Sequence, residues 1–290
     1  MTYIIMDLEW DTVYSPKIRG FLNEIIEIGA VKLDDSLCEI DTFSVLVRSQ
    51  LGRSLSPYIA KLTTLTEGDL AHGQTFQKAH AALRGWIGGG AHILLTWSDT
   101  DLRVLLANTR HFLNDHALSY VQNYCDVQRY FQHRLALPTS RQVGLASAGE
   151  LLDLPTDGLA LHRALDDSRY TAQCFARIFD ASDFEAHVHP CNADFLAELE
   201  YKPRYISDIN SPLVDKKQLF YICRDCGRPA HQQTDWRFGS RGFNAEFWCP
   251  KCKQRVRAMV SFKKKYSTVE IKRSARLITP KENEGQEQHK

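Results

Sequence analysis

Residues 3–10 read Tyr-Ile-Ile-Met-Asp-Leu-Glu-Trp (YIIMDLEW), an apolar, β-rich run that gains two carboxylates at its end. In an extended strand residues i and i+2 share a face, so Asp7 and Glu9 project together while Leu8 enters the opposite side. Surface strands alternate charge routinely, and a lone D-x-E therefore carries little by itself. Its placement adds weight. The run Tyr3 to Met6 predicts a buried central strand, and open α/β sheets build their sites at the C-terminal ends of such strands.

Working outward, Glu24 to Leu33 (EIIEIGAVKL) and Glu39 to Val47 read as two further strands, with Asp34 and Asp35 supplying the turn between them. Helical patterns follow near Pro57 to Leu62 and Thr75 to Ile87, and the glycines at 88, 89 and 90 stop the second of these. A strand from His92 to Trp97, a helix from Asp101 to Leu113, a strand near Ser119 to Asp126, a helix to about Leu135 and a last helix from Ala160 to Phe179 complete the pattern. The alternation predicts an α/β domain.

Three more chemistry-bearing residues sit on these elements. Asp101 begins a helical pattern whose Leu102, Leu105 and Leu106 face a core. Ser98, Asp99 or Asp101 could each cap that helix; we take Asp101 as the ligand and Asp99 as a cap or solvent residue. His162 and Asp167 stand five apart in HRALDD, and on a regular helix they would diverge by about 140°. His162 is therefore expected at or before the first turn, with Asp167 on the inward face and Ala164 leaving room between them. The alternative for His162 is a core or loop histidine. Four carboxylates with one imidazole suit a chemistry in which two divalent cations about 3.5–4 Å apart hold a phosphodiester and an attacking water. Such a set reads as a nuclease.

The ordered elements D-x-E, D and H-x-A-x-x-D resemble the DEDDh division of the DnaQ-like 3′ to 5′ exonucleases, over about residues 1–180. The resemblance implies a ribonuclease H-like fold, with a mixed five-stranded sheet flanked by helices. It also implies that Asp7, Glu9, Asp101 and Asp167 are ligands of two Mg²⁺ or Mn²⁺ ions and that His162 is the general base, releasing nucleoside 5′-monophosphates. Trp10, the stretch EIIEIGAVKL and the Asp four positions after Trp97 resemble the Eri-1/KapD-like branch, which implies RNA as substrate. A DNA-directed exonuclease of the same chemistry is the alternative, and a non-catalytic nucleic-acid-binding adaptor is a second. Leu62-Thr63-Thr64-Leu65-Thr66 departs from the usual Leu-Thr-Gly-Ile-Thr of the family.

The composition, 43% apolar and 24% charged over 290 residues, supports one large core and a second small one. No stretch approaches the roughly 20 apolar residues of a membrane span, and the N-terminus lacks a basic n-region, so no membrane partner and a cytoplasmic location are expected. The net charge of +1 hides an asymmetry. Residues 1–200 carry 16 Lys and Arg against 26 Asp and Glu, whereas 201–290 carry 20 against 9. An acidic first part joined to a basic second part is the pattern of a protein that holds a polyanion.

Of the eight cysteines, Cys38, Cys125, Cys174 and Cys191 are isolated, while Cys223, Cys226, Cys249 and Cys252 form two C-x-x-C pairs separated by 22 residues. That spacing suits one structural Zn²⁺ held by four thiolates in a small β-rich zinc ribbon, expected over residues 219–278. Gly227 would permit the knuckle turn. Aromatics among the charges there, Trp236, Phe238, Phe243, Phe247 and Trp248, include some that must form the ribbon's core. Trp10, Arg237, Arg241, Lys263, Lys264 and Lys265 are the candidate contacts to single-stranded nucleic acid. A ribbon that docks a protein partner is the alternative. Residues 181–218 read as a connector and 279–290 as a disordered tail.

Overall fold

The computed structural model describes residues 1–52, 54–156 and 162–278, which divide into two compact units, Met1–Leu199 and Glu200–Lys290. In unit 1 the chain runs β1 (Thr2–Ser15), β2 (Gly20–Leu33), β3 (Glu39–Leu46), α1 (Pro57–Thr63), α2 (Glu67–Ala71), α3 (Phe76–Ile87), β4 (His92–Thr96), α4 (Asp99–Leu113), β5 (Asn123–Asp126), α5 (Val127–Arg134), α6 (Leu145–Leu151), α7 (Ala164–Ile178), α8 (Ala181–Phe184), a 3₁₀ turn (Glu185–His187), β6 (His189–Pro190) and α9 (Ala193–Glu200). The sheet order is β3-β2-β1-β4-β5-β6. β1, β2 and β3 pair antiparallel, β1, β4 and β5 pair parallel, and β6 pairs antiparallel with β5. This is the mixed five-stranded, ribonuclease H-like sheet, with a two-residue sixth strand added at the β5 edge.

β1 is central because both of its faces are covered. Ile4, Met6 and Leu8 join Ala79 and Leu83 of α3 and Leu102, Leu105 and Leu106 of α4 in one core layer. Tyr3 and Ile5 enter the other, with Tyr130 and Phe131 of α5 and Ala172, Phe175 and Ile178 of α7. Each strand residue thus buries its side chain on whichever layer its parity dictates. Burying a large aliphatic or aromatic side chain stabilises by about 1.5–3 kcal/mol, so the two layers fix the strand's register firmly.

Several boundaries differ from the sequence reading, each for an identifiable reason. β1 runs on to Ser15 because its far end pairs with the start of β2 in a long hairpin, Glu9↔Glu27 being followed by Trp10↔Ile25 across a bulge. The short helices α2 and α6 were not anticipated; α2 is held by a capping box, with Thr66 and Asp69 bonding each other's backbone amides. The last helix begins at Ala164 rather than Ala160, and residues 160 and 161 lie outside the described residues. Residues 181–218, expected as a connector, carry ordered elements in both units. Phe184, Leu196 and Leu199 are buried in unit 1 and Val214 in unit 2. The stretch 279–290, expected as a disordered tail, lies outside the described residues.

Unit 2 is antiparallel: β7 (Arg204–Tyr205), a 3₁₀ turn (Lys216–Gln218), β8 (His231–Gln232), β9 (Arg237–Gly239), β10 (Gly242–Cys249), β11 (Gln254–Lys264) and β12 (Val269–Leu277). β12, β11, β10 and β8 lie in that order, with β7 on β11 and β9 on β10. Phe243, Val260, Phe262 and Val214 form one small core, and Ala245, Phe247 and Ala258 another.

The departure at residues 62–66 has a backbone consequence. Thr64 caps α1 in the left-handed region, at φ 60 and ψ 9, where a β-branched residue is disfavoured and glycine is at ease. Thr64→Gly should raise the urea stability of unit 1 by about 1 kcal/mol, the left-handed penalty outweighing the added freedom of the unfolded chain. An unchanged or lowered unfolding midpoint would contradict this.

Candidate active site and thiolate cluster

Asp7 and Glu9 stand mid-way along β1, just past the stretch Thr2–Ile5 that pairs with β4, on the face that Tyr3 and Ile5 share, toward α7. Asp101 arrives from the first turn of α4, which Ser98 caps by accepting from the Thr100 amide at 3.3 Å. Its Oδ1 accepts from the Leu8 amide at 3.1 Å, between the two strand carboxylates. Asp99 instead pairs with Arg103 at 2.9 Å. From the third side, Asp167 on α7 is buried and His162 is exposed.

His162 lies before α7, with φ 71, and its amide donates to Asp167 Oδ2 at 3.0 Å. The backbone turn lets the imidazole escape the helical spacing that would have aimed it away. One ligand atom each from Glu9, His162 and Asp167 lies within 4.8 Å of the others. Asp7 and Asp101 both feel the Asp167 charge, so the four carboxylates and His162 named from the sequence lie near one another.

Two further features hold α7 there, and the sequence reading passed over both. Gly29 faces Asp7 across the β1–β2 ladder, and a Cβ built on it would stand 2.1 Å from the Ala164 carbonyl carbon and the Leu165 nitrogen. Only glycine allows the first turn of α7 to lie so close to the strand. Ser168 Oγ then donates to the Gly29 carbonyl at 3.0 Å. Beside it, Glu27 is buried at 1% exposure and takes a two-pronged bond from Arg163, Nε to Oε2 at 3.0 Å and Nη2 to Oε1 at 2.8 Å. A carboxylate inside the apolar run Ile25–Ile28 was the available signal, because a buried charge needs a partner.

The electrostatics of the pocket are those of crowded, desolvated acids. Burial first, then Asp101, Asp167, Glu9 and Glu27, push Asp7 well above the usual carboxylate range. Burial and the neighbouring Asp167 raise Glu9 to about 8. Burial lifts Asp101 to about 7 against the Leu8 hydrogen bond, and Asp167 to about 6 against the His162 amide bond. This donor set fits divalent cations. Hard carboxylate oxygens converge, and their repulsion is what a positive ion would relieve.

A family model described as exonuclease (RNase T) matches residues 4–175, more than half of the chain. The chain belongs to the exonuclease (RNase T) family. The fold of this domain is similar to that of solved DEDDh-family nucleases. It superposes on the nuclease domain of 3′hExo, a DEDDh family member bound to rAMP, with TM-score 0.54 and 21% identity, covering 65% of this chain and 95% of that one. A 3′-exonuclease solved with a histone mRNA stem-loop gives the same score and identity over 65% of this chain and 84% of the other. Cell-death related nuclease 4 (CRN-4) gives 0.50 and 21%, over 61% and 62%. A curated relative, the PolC-type DNA polymerase III of Thermotoga petrophila, is 27% identical over 179 residues. That match spans 62% of this chain and 12% of the polymerase.

In unit 2, Cys223 Sγ lies 3.8 Å from Cys252 Sγ, and Cys226 Sγ lies 3.6 Å from Cys249 Sγ. All four sulfurs fall within 4.8 Å of one another. Four thiolates around a tetrahedral zinc sit about 3.8 Å apart, given zinc–sulfur bonds of about 2.3 Å. The two knuckles match: Gly227 has φ 68 and Lys253, the residue after the second pair, has φ 52. Cysteine hydrogen bonds, from Cys226 first, hold the Cys252 thiol up at about 12.

The candidate nucleic-acid contacts fall into three groups. Arg237 and Arg241 are exposed, and Arg237 lines a groove with Phe238, Arg257, Met259 and Arg276. The three lysines already have partners within unit 2: Lys263 lies over the Tyr205 ring, Lys264 bonds the Tyr266 carbonyl and Lys265 pairs with Glu270. Trp10 is half-buried against the α3–α4 core layer. Phe243 and Phe247 are core, while Phe238 and Trp248 keep exposed surface. Among the described residues, no helix is long and apolar enough to cross a membrane.

Above pH about 5 the unfolded chain has released its carboxyl protons, whereas folded Asp167, Asp101 and Glu9 keep theirs until about 6, 7 and 8. The folded state then binds more protons, so stability must fall as pH rises through that interval. Urea midpoints measured in divalent-free buffer should drop from pH 5 to pH 8, and less steeply in Glu9→Gln. A flat or rising midpoint would contradict the crowding.

Proposed function

We propose that this chain is a 3′ to 5′ exonuclease that removes nucleotides from the 3′ end of single-stranded RNA, releasing nucleoside 5′-monophosphates by two-metal hydrolysis. The observation that carries this reading is the convergence of Asp7, Glu9, Asp101 and Asp167 beside an exposed His162.

In this reading the four carboxylates hold two Mg²⁺ or Mn²⁺ ions, which supply Lewis-acid stabilisation of the charge growing on the phosphate and the leaving 3′ oxygen. Asp101 and Asp167 are oriented through their bonds to the Leu8 and His162 amides. His162 takes the proton of the attacking water, and its exposure leaves it free to reach that water and pass the proton on. Glu27 and Arg163 act through position: they hold the turn from which His162 projects. In unit 2 one structural Zn²⁺ on Cys223, Cys226, Cys249 and Cys252 supplies much of the folding free energy of a module with little core. Its face around Arg237, Arg241 and Phe238 binds the strand, arginines following phosphates and the aromatic stacking a base.

The preference for RNA draws support from the fold it shares with an exonuclease solved on a histone mRNA stem-loop. A DNA substrate has its own support in the polymerase relative. The deciding assay incubates the full chain with 5′-labelled single-stranded RNA or DNA and Mg²⁺, Mn²⁺ or EDTA. An RNA ladder shortening from the 3′ end, absent with EDTA, is expected, with DNA cut more slowly. Asp7→Ala should lose turnover while keeping its fold, and His162→Ala should fall by about 10²–10⁴-fold, the usual worth of a general base. An active Asp7→Ala protein would remove the scheme.

A further inference from the structure

Apart from the acidic cluster and the thiolates, one more set of metal-type donors gathers among the described residues of unit 1. His133 in the last turn of α5, Asp183 in α8 and His187 in the following 3₁₀ turn each offer a ligand atom, and the three atoms lie within 4.8 Å of one another. His133 Nε2 is 3.2 Å from Asp183 Oδ1, and His187 Nε2 is 4.0 Å from Asp183 Oδ2. The two imidazole rings have centroids 4.6 Å apart. Ligand atoms around a tetrahedral zinc with bonds of about 2.0–2.1 Å stand about 3.3 Å apart, so side-chain rotation alone would close the set.

A second observation points the same way. Asp183 Oδ2 is shut off from solvent yet accepts no hydrogen bond. A buried carboxylate oxygen without a donor is costly, and a cation relieves that cost. Arg134 fills this role only in part: its Nη1 makes an ion pair with Asp183 Oδ2 at 3.5 Å without a hydrogen bond, and it lies closer to Asp180 Oδ2, at 3.2 Å. Its Nε also donates to the Ile178 carbonyl at 3.0 Å, so the guanidinium is anchored without Asp183. The His133 side chain is 54% exposed, which leaves a path for an ion from solvent.

We propose that His133, Asp183 and His187 form a binding site for one divalent transition-metal ion, zinc fitting best, with the fourth position left to water. Two imidazoles and a carboxylate select zinc, nickel or copper over magnesium, which separates this site chemically from the all-carboxylate pocket. The ion would clip the end of α5 to the α8 turn, joining residues 50 apart in sequence. Closing a loop of that length favours the folded state.

The test uses the full chain with Zn²⁺ as the only added metal, comparing wild type with His133→Asn and His187→Asn. The thiolates and the acidic pocket are intact in all three proteins, so a difference in zinc isolates this cluster. Wild type should bind one more equivalent than either variant, or bind that equivalent at least tenfold more tightly. Cleavage in Mg²⁺ should be unchanged. Equal stoichiometry and affinity in the three proteins would overturn the proposal. A second measurement needs no variant: Zn²⁺ should protect His133 and His187 of the wild type from diethyl pyrocarbonate, mapped by mass spectrometry, and unaltered modification of both would overturn it too.

Discussion

Crowding four carboxylates together, Asp101 and Asp167 buried and Asp7 and Glu9 half-buried, is the constraint on which the rest of unit 1 depends. Each loses hydration and each feels its neighbours, so the fold must hold them together against their own repulsion. It does so by placing them on separately anchored elements. β1 is packed on both faces, α4 is capped by Ser98, and α7 is seated on Gly29 and tied down by Arg163 and Glu27. The carboxylates that cost stability are thus carried by elements packed into the two core layers.

The same logic explains why small residues sit beside charged ones. Gly29 and Ala164 let a helix turn approach a strand closely, and that approach brings Asp167 to the pocket that Asp7 and Glu9 border. His162 escapes helical geometry through a left-handed backbone, so a histidine and an aspartate five residues apart border one site. Position here comes from backbone geometry more than from side-chain reach.

What could be read from the sequence divides along physical lines. The central strand, the parity of Asp7 and Glu9 and the need for His162 to precede its helix followed from periodicity, which depends only on local geometry. The C-x-x-C pairs were legible because metal ligands constrain spacing. The Glu27–Arg163 pair was not read, since its members stand 136 residues apart and only the fold joins them. The extension of β1, the short helices α2 and α6 and the packing of residues 181–199 depend on tertiary pairing and burial that no local pattern announces. The cluster of His133, Asp183 and His187 was invisible for the same reason.

Anomalous diffraction from crystals of the full chain soaked in Mn²⁺ tests the central claim most directly. Two manganese peaks about 3.5–4 Å apart, ligated by Asp7, Glu9, Asp101 and Asp167, are the expected result. Carboxylates that bind no manganese, or that turn away from one another in the crystal, would contradict it.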